Sequence, residues 1–424
     1  MLRRGLDQFA DKKVLLLQGP VGPFFARLKH DLEAIGAQVY KINFNAGDWI
    51  FCRGNLNYQG TPEAWPGVFA SLLDQWEIDV VLLFGDQRPV HLQAHAVALS
   101  RGLEIGVFEE GYFRPDHITF ERHGVNGRSS MSRLPSDYRS EQPFLPKTEP
   151  VGNAYWRMVA YGFLYFAAGI IGRLWFRHYR HHRPFTVWAA IPWIRSVWRK
   201  QWYRFREWGI QTRLSGADKG KFFLVPLQVF NDSQITSHAD FFTIDRFIEY
   251  VVYSFAGHAP KNALLVFKHH PMDRGHSDYG DTIRRLAARM GLQDRVLYIH
   301  DQHLPTLLDA ARGVVVINST VGLAALQHGI PVKVCGVALY ALPGLTFSDS
   351  LDKFWCLAGI RFKLDKELFS RFKGHLMART QINGSFYKPL LGINGKGKSG
   401  LVWPVQPDEE NLHTVATVLN STQN

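Results

Sequence analysis

Three cysteines in 424 residues, Cys52, Cys335 and Cys356, with no CxxC pair among them, argue against both a disulfide framework and a cysteine zinc site. The histidines offer no metal set either. His269 and His270 are neighbours, and His178, His181 and His182 have no Cys or carboxylate at ligand spacing. No metal or other cofactor is expected. Long apolar runs are also scarce: MVAYGFLYFAAGII, residues 158–171, falls short of the roughly 20 residues that a spanning helix needs. The opening MLRRGLDQFADKK lacks the apolar stretch of a secretory signal. The expectation is a reducing, cytoplasmic setting, in solution or on a membrane surface. Acids are in deficit, 37 against 49 Lys and Arg, and the net charge of +12 predicts attraction to polyanions: nucleic acid, an anionic membrane or a phosphorylated substrate.

The deficit is concentrated in Asn153–Trp208, which holds ten Lys and Arg and one acid, Glu207. Seven of the twelve tryptophans lie there, Trp156, Trp175, Trp188, Trp193, Trp198, Trp202 and Trp208. Indoles interleaved with cations such as Arg173, Arg177, Arg199 and Lys200 suit a lipid headgroup layer, where rings sit at the interface and cations meet phosphates. The segment reads as monotopic membrane contact, with a helix buried between domains as the plain alternative. Nucleic acid ranks third, because no RNA- or DNA-binding module accompanies the patch.

The length suits two domains. Lys13–Gln18 reads as a strand, Gly19 to Pro23 as a loop and Phe24–Gly36 as a helix. The loop is no phosphate-binding fingerprint; its backbone amides above a strand could meet sugar or carboxylate oxygens, or it is a plain turn. Gln38–Phe44, Asp79–Phe84 and Glu104–Phe108 continue a βαβα alternation, which implies a parallel sheet. Asp48, in the loop after the second strand, is an acceptor-site candidate. The last of these strands runs into Glu109-Glu110-Gly111, and ligands of open α/β sheets collect at the carboxyl ends of strands. Both acids are catalytic candidates, although an isolated acid pair often only caps a helix or faces solvent. The stretch from Tyr112 to Met131 looks too irregular for a strand of useful length, and its Arg114 could face an anionic ligand or brace the loop.

Gln211–Lys221 reads as a linker. A second alternation follows, its strands exiting into Gln228, Asp232, Ser233 and Gln234; into Lys268, His269, His270 and Pro271; into His300 and Asp301; and into Asn318, Ser319 and Thr320. Hydroxyls and amides opening a helix make Ser319-Thr320 a phosphate seat. His270 is either a structural residue before proline or, titrating near neutrality, a group that binds or protonates a departing phosphate. The domains expected are 1–150, a membrane-associated segment 151–210, a nucleotide-sugar domain 221–375 and a tail 376–424 with a mobile turn-rich loop at Gly392–Gly400.

Taken in order, acid-acid-Gly at 109–111, His-Pro at 270–271 and Ser-Thr at 319–320 resemble the pattern of bacterial sialyltransferases. The stretches GVFEEGYFRPDHITFE, LQVFNDSQI, FKHHPMDRG and INSTVGLAALQHGIPV are more similar still to the capsule polysaccharide β-Kdo transferases of the KpsS and KpsC type, the single-module KpsS-like members being nearest in length. The resemblance spans roughly Val14 to Val334. It implies a GT-B architecture, two Rossmann-like domains with a cleft between them, and CMP-Kdo as donor. It places the family's acidic motif on Glu109 and Glu110, its His-Pro motif on His270 and Pro271 and its hydroxyl motif on Ser319 and Thr320. The donor set expected with these is Gln228, Asp232, Ser233, Gln234, Lys268, Asn318, Gly19 and Arg114. Retention of configuration implies a covalent intermediate, on Glu110 or on Glu109. Many relatives carry Glu-Asp-Gly, so Glu-Glu-Gly sets the reacting oxygen about one methylene further out and leaves that choice open. For the KpsS-like branch the implied acceptor is lyso-phosphatidylglycerol at the inner face of the inner membrane, beside other capsule assembly proteins. Trp156, Arg173, Trp175, Arg177, Trp198, Arg199, Lys200 and Trp202 are the residues expected to meet lipid.

Overall fold

The computed structural model describes residues 5–139, 145, 147–181, 190–229, 243–390 and 397–404. Asp232, Ser233, Gln234, Trp188 and His182 lie outside the described residues. The chain divides into two compact units: Met1–Ser130, Ser140–Phe185 and Arg371–Asn424 form unit 1, and Met131–Arg139 with Thr186–Ser370 form unit 2.

Unit 1 is built on β1 (Lys13–Leu16), β2 (Gln38–Asn43), β3 (Leu56–Asn57), β4 (Val80–Phe84), β5 (Glu104–Glu110), β6 (His117–Arg122) and β12 (Gln381–Asn383), in the order β12-β6-β5-β4-β1-β2-β3. The first five strands are parallel, while β6 and β12 add antiparallel. Helices α1 (Phe24–Ala34), α2 (Ala46–Phe51), α3 (Trp65–Gln75), α4 (Pro89–Ser100) and α5 (Tyr155–Ile171) complete it. Successive side chains of a strand point to opposite faces. Val14 and Leu16 accordingly enter one core with Phe24, Phe108 and Phe386, and Leu15 and Leu17 enter another with Trp65 and Phe69. Burial on both faces is why these strands are uninterrupted apolar runs.

Unit 2 holds α6 (Ala190–Arg206), α7 (Ile210–Ser215), β7 (Phe222–Pro226), α8 (Ile244–His258), β8 (Leu264–Lys268), α9 (Gly280–Arg289), β9 (Val296–Ile299), α10 (Leu304–Ala310), β10 (Gly313–Val316), α11 (Thr320–Gln327), β11 (Val332–Val334) and α12 (Leu351–Leu357). Its sheet is wholly parallel, in the order β11-β10-β7-β8-β9. In both units the first strand is central, the next two run out on one side and the following two on the other. Each unit is therefore a Rossmann-like α/β fold, as the alternation and the resemblance implied.

Several expectations are corrected. The Tyr112–Met131 stretch contains β6, whose Ile118, Thr119, Phe120 and Glu121 are all buried while its ends, His117 and Arg122, are not: a strand covered on both faces with polar residues on one of them. The described part of 376–424, residues 376–390 and 397–404, is no detached tail, and residues 391–396 of the expected loop lie outside the described residues. A helix α13 (Lys366–Thr380) leads into β12, which pairs with β6, and the Lys398 and Ser399 amides donate to Asp31 at 2.6 and 2.8 Å, so residues 397–400 are tied down. The presumed linker carries α7 and belongs to unit 2. The basic segment is divided, α5 lying in unit 1 and α6 in unit 2. Among the described residues no helix is long and apolar enough to cross a membrane, and no cluster of side chains could hold a metal ion.

Candidate functional site

At the end of β5 the chain must turn sharply into β6. A Cβ on Gly111 would fall 1.9 Å from the His117 carbonyl oxygen, so only glycine permits the turn. Glu109 and Glu110 stand opposite Thr119 and Ile118 of β6 and, being consecutive, point to opposite faces. Glu110 shares its face with Phe386 and Tyr387: Tyr387 Oη donates to Glu110 Oε1 at 3.2 Å, and burial together with this carboxylate holds the phenol far above its ordinary range. Glu110, Arg114, Ser385 and Tyr387 line a cavity of about 380 Å³. Glu109 does not line it. Its Oε1 accepts from the Glu110 amide at 2.9 Å, and Oε2 lies where a Cβ of Gly85, after β4, would be 3.5 Å away. Burial raises the Glu109 carboxyl to about 7, the amide bond opposing and the neighbouring Glu110 adding to the rise.

Behind the acids lies a frame that the sequence did not announce. Gln381 of β12 accepts from the Tyr112 amide at 3.0 Å and donates to Thr119 Oγ1 at 3.0 Å, while Thr119 donates to the Glu110 carbonyl at 3.1 Å. Tyr112 Oη donates to Glu121 Oε1 at 2.7 Å, and Ser129 Oγ donates to its Oε2. Glu121 is thus a buried acid close behind the pair, also raised to about 7 by burial against those hydrogen bonds. Gln381 and Tyr387 are more than 260 residues from their partners in the chain, and no local pattern marks them.

Other candidates in this unit are committed to the protein itself. Asp48 is buried, its oxygens accepting from Gln18 (3.0 and 3.2 Å), Asn45 (3.1 Å), the Phe44 amide (3.1 Å) and Tyr165 Oη (3.1 Å). It ties β1 and β2 to α5 and is not presented to an acceptor, which corrects that expectation. A Cβ on Gly19 would sit 2.8 Å from the Phe25 ring, and the Gly19 carbonyl accepts from Arg88 at 3.2 Å, so this glycine packs the loop. Arg114 is exposed, and its Nε braces the Gly111 carbonyl at 3.1 Å.

In unit 2 the strand order reverses between β7 and β10, and their carboxyl ends are where an open sheet offers a crevice. Gln228 and Asn318 meet there, Gln228 Nε2 donating to Asn318 Oδ1 at 2.9 Å. Ser319 Oγ accepts from the Val321 amide at 3.2 Å as the cap of α11, which leaves Thr320 as the other hydroxyl on that turn. His270 caps the short turn Pro271–Asp273, its Nδ1 accepting from the Met272 amide at 3.2 Å. In the neutral ring the proton then sits on Nε2, which can donate to an anion. Lys268 behaves otherwise. It is buried, its Nζ donates to the His300 carbonyl at 3.1 Å, and burial lowers its pKa, so its ammonium secures β8 to β9 and is not turned to the crevice as expected. His300 is itself clamped by Glu207, whose Oε1 is 2.5 Å from Nδ1, and stacks on Tyr203 at 3.4 Å. The lone acid of the basic segment is an anchor for α6, a signal the sequence did carry.

The aromatic and basic candidates divide in the same way. Arg199 donates to the Arg274 carbonyl at 2.9 Å, and Arg195 Nε donates to the Gly275 carbonyl at 2.6 Å, so both fasten α6 to its own unit; for Arg199 this corrects the lipid assignment. Trp198 and Trp202 are exposed and stacked on each other, with ring centroids 5.9 Å apart. At about 3.6 residues per turn, Ile194, Trp198, Trp202 and Phe205 form an outward arc opposite the buried Tyr203 and Glu207, and Lys200 and Arg204 flank it on one side, Arg206 on the other. On α5, Trp156, Phe163, Leu164 and Ile171 likewise face outward, with exposed Arg173, Trp175 and Arg177 following.

A family model described as capsule polysaccharide biosynthesis protein matches residues 79–387. The chain is 42% identical over 381 residues to the capsule polysaccharide export protein KpsS of Escherichia coli, covering 89% of this chain and 97% of that one. It is 39% identical over 396 residues to the capsule polysaccharide modification protein LipB of Neisseria meningitidis serogroup B, covering 91% and 94%. Among solved structures, the β-Kdo 2,7 transferase KpsC of Thermosulfurimonas dismutans aligns over 88% of this chain and 93% of that one, with a TM-score of 0.47 and 14% identity.

Proposed function

The chain belongs to the capsule polysaccharide biosynthesis protein family, and from that premise we propose that it is a retaining glycosyltransferase moving Kdo from CMP-Kdo to lyso-phosphatidylglycerol. On this reading it lays down the first β-Kdo of the capsule's linker while peripheral on the inner face of the inner membrane. The observation that carries the proposal is Glu110, a carboxylate lining a cavity at a strand end with Tyr387 and Arg114 beside it. Glu110 attacks the anomeric carbon as the bond to the CMP phosphate breaks. The acceptor hydroxyl then displaces Glu110 and loses its proton to a base or to water. Two inversions give retention. In unit 2, His270 Nε2, Thr320 and the Gln228–Asn318 pair are the groups assigned to the nucleotide, and donors aimed at the leaving phosphate would stabilise its growing charge. The outward arcs of α5 and α6, with cations flanking aromatic rings, support membrane contact.

The test is incubation with CMP-Kdo and fluorescent lyso-phosphatidylglycerol, followed by mass spectrometry for a lipid one Kdo heavier and for a Kdo adduct on Glu110. An adduct on Glu109 or Asp232 would reassign the nucleophile. The name of the Escherichia coli relative favours a second reading, a non-enzymatic export or assembly scaffold. That reading predicts vesicle binding with no CMP release. For the membrane step, neutralising Lys200, Arg204 and Arg206 removes about 1 kcal/mol each of attraction to anionic lipid and should release the protein from phosphatidylglycerol vesicles in co-sedimentation.

A further inference from the structure

Neither the acids nor the nucleotide residues account for an apolar groove of about 430 Å³ in unit 1, between α2 and the end of α5. The two helices cross at very short range. A Cβ on Gly172 would lie 2.2 Å from that of Ala46, and one on Gly47 would lie 2.6 Å from the Tyr165 ring. Tyr165 is itself immobilised by hydrogen bonds to Asp48 (3.1 Å) and Asn45 (2.8 Å). The floor is therefore made of small residues, Ala46, Ala168 and Gly172, and cannot shift to close the space, while Trp49, Ile50, Ile171 and Trp175 stand as walls. These four remain 40, 43, 71 and 64% exposed, a large apolar rim left in water. The rim is also cationic. Arg53 lies over the Trp49 ring at 5.1 Å, Arg173 and Arg177 are exposed beside Trp175, and residues 153–181 contain no acid.

We propose that this groove holds the acyl chain of a single-chain anionic phospholipid, with Arg53, Arg173 and Arg177 at its phosphate. A hydrocarbon chain has no polar group to satisfy, whereas an extended peptide would press its amides on a lining with Asn57 and Gln59 as its amide side chains and two indole N–H groups besides. The exposed apolar stripe of α5, through Leu164 and Ile171, runs to the mouth of the groove and gives a chain a path from a bilayer. This deepens the transferase reading and rests on it for the identity of the lipid, but binding is measurable without transfer.

The experiment titrates the full-length protein with lyso-phosphatidylglycerols of increasing acyl length, each below its self-association limit, read by tryptophan fluorescence and by native mass spectrometry for stoichiometry. One lipid should bind per chain, with affinity rising about fourfold per added methylene until the groove is full and then levelling. Ile171→Ala and Trp175→Ala, both at exposed positions, should each weaken binding several-fold. Ala168→Phe should remove the chain-length dependence while the circular dichroism spectrum and thermal unfolding of the full chain, the check on folding, stay as in the wild type. Affinity indifferent to chain length, binding that never saturates, or full affinity in the two exposed variants would overturn the proposal. So would a lipid-free dimer that Trp175→Ala dissociates, since the groove would then be covered by a second copy. Chain-length-dependent binding with no CMP release from CMP-Kdo would sink the transferase reading alone; transfer equally efficient to short- and long-chain acceptors would sink the groove alone.

Discussion

The end of β5 in unit 1 and the end of β10 in unit 2 are both polar motifs at the carboxyl edge of a Rossmann-like sheet, yet they are put together differently. Around Ser319 the hydroxyl and carbonyl are engaged near in the chain, Oγ capping α11 and the carbonyl accepting from Tyr340 Oη, while Asn318 pairs with Gln228, 90 residues earlier. Around Glu110 the frame comes from far along the chain, Gln381 fixing the turn and Tyr387 the carboxylate. A motif built from local caps can orient a ligand but has little freedom to change its protonation. A carboxyl group can change its protonation when it is desolvated, and burial is what moves Glu109, beside that frame, to about 7. The first unit is therefore suited to reaction and the second to holding an anion.

Exchanging the reactive oxygen tests that contrast most severely. Glu110→Gln should lower Kdo transfer by at least about a thousandfold while CMP binds as in the wild type, because the lost interaction belongs to the reaction and not to the ground state. Full transfer by this variant would remove the distinction between the units.

A second test uses pH. Folded Glu109 keeps its proton to about 7, against 4.5 for an ordinary glutamate, so between those values the folded chain binds more protons than the unfolded one. Stability from this group must then fall as pH rises through that window and level off above it. Glu109→Gln has no proton to lose and should gain on the wild type by up to about 3 kcal/mol between pH 5 and 8 in denaturant unfolding. A constant difference across that range would mean the carboxyl is not desolvated.

Tyr387→Phe removes one hydrogen bond to a carboxylate, about 2 kcal/mol, and should cost about thirtyfold in kcat with KM for CMP-Kdo little changed. A loss confined to KM would make Tyr387 a binding group. The smallest effect is expected in unit 2, where His270→Ala should weaken CMP about tenfold by calorimetry, the worth of one donor to a phosphate. Unchanged affinity would leave the His-Pro turn structural.

The Rossmann-like alternation was readable because burial on both faces writes itself into short, continuous apolar strands such as Val14–Leu17 and Val80–Leu83. The acid pair and the Ser-Thr turn were readable as strand exits for the same reason. Strand β6 was missed because His117 and Glu121 break its apolar pattern, and Glu121 is buried only by virtue of Tyr112 and Ser129. Arg199 and Lys200 looked alike in a basic run, and only the carbonyl of Arg274 separates an anchoring cation from an exposed one.

By itself the amino-acid order determined two α/β units, the positions of their strand ends and the segment in which cations and indoles collect. These are short-range properties, set by side-chain period and composition within some ten residues. Tertiary structure alone decided that Glu110 and not Glu109 lines the cavity, that Asp48 and Lys268 are used up inside the protein, and that β12, Gln381–Asn383, returns to complete the first sheet. The surroundings of a carboxylate depend on which distant elements desolvate it or donate to it, and no window of sequence contains both partners.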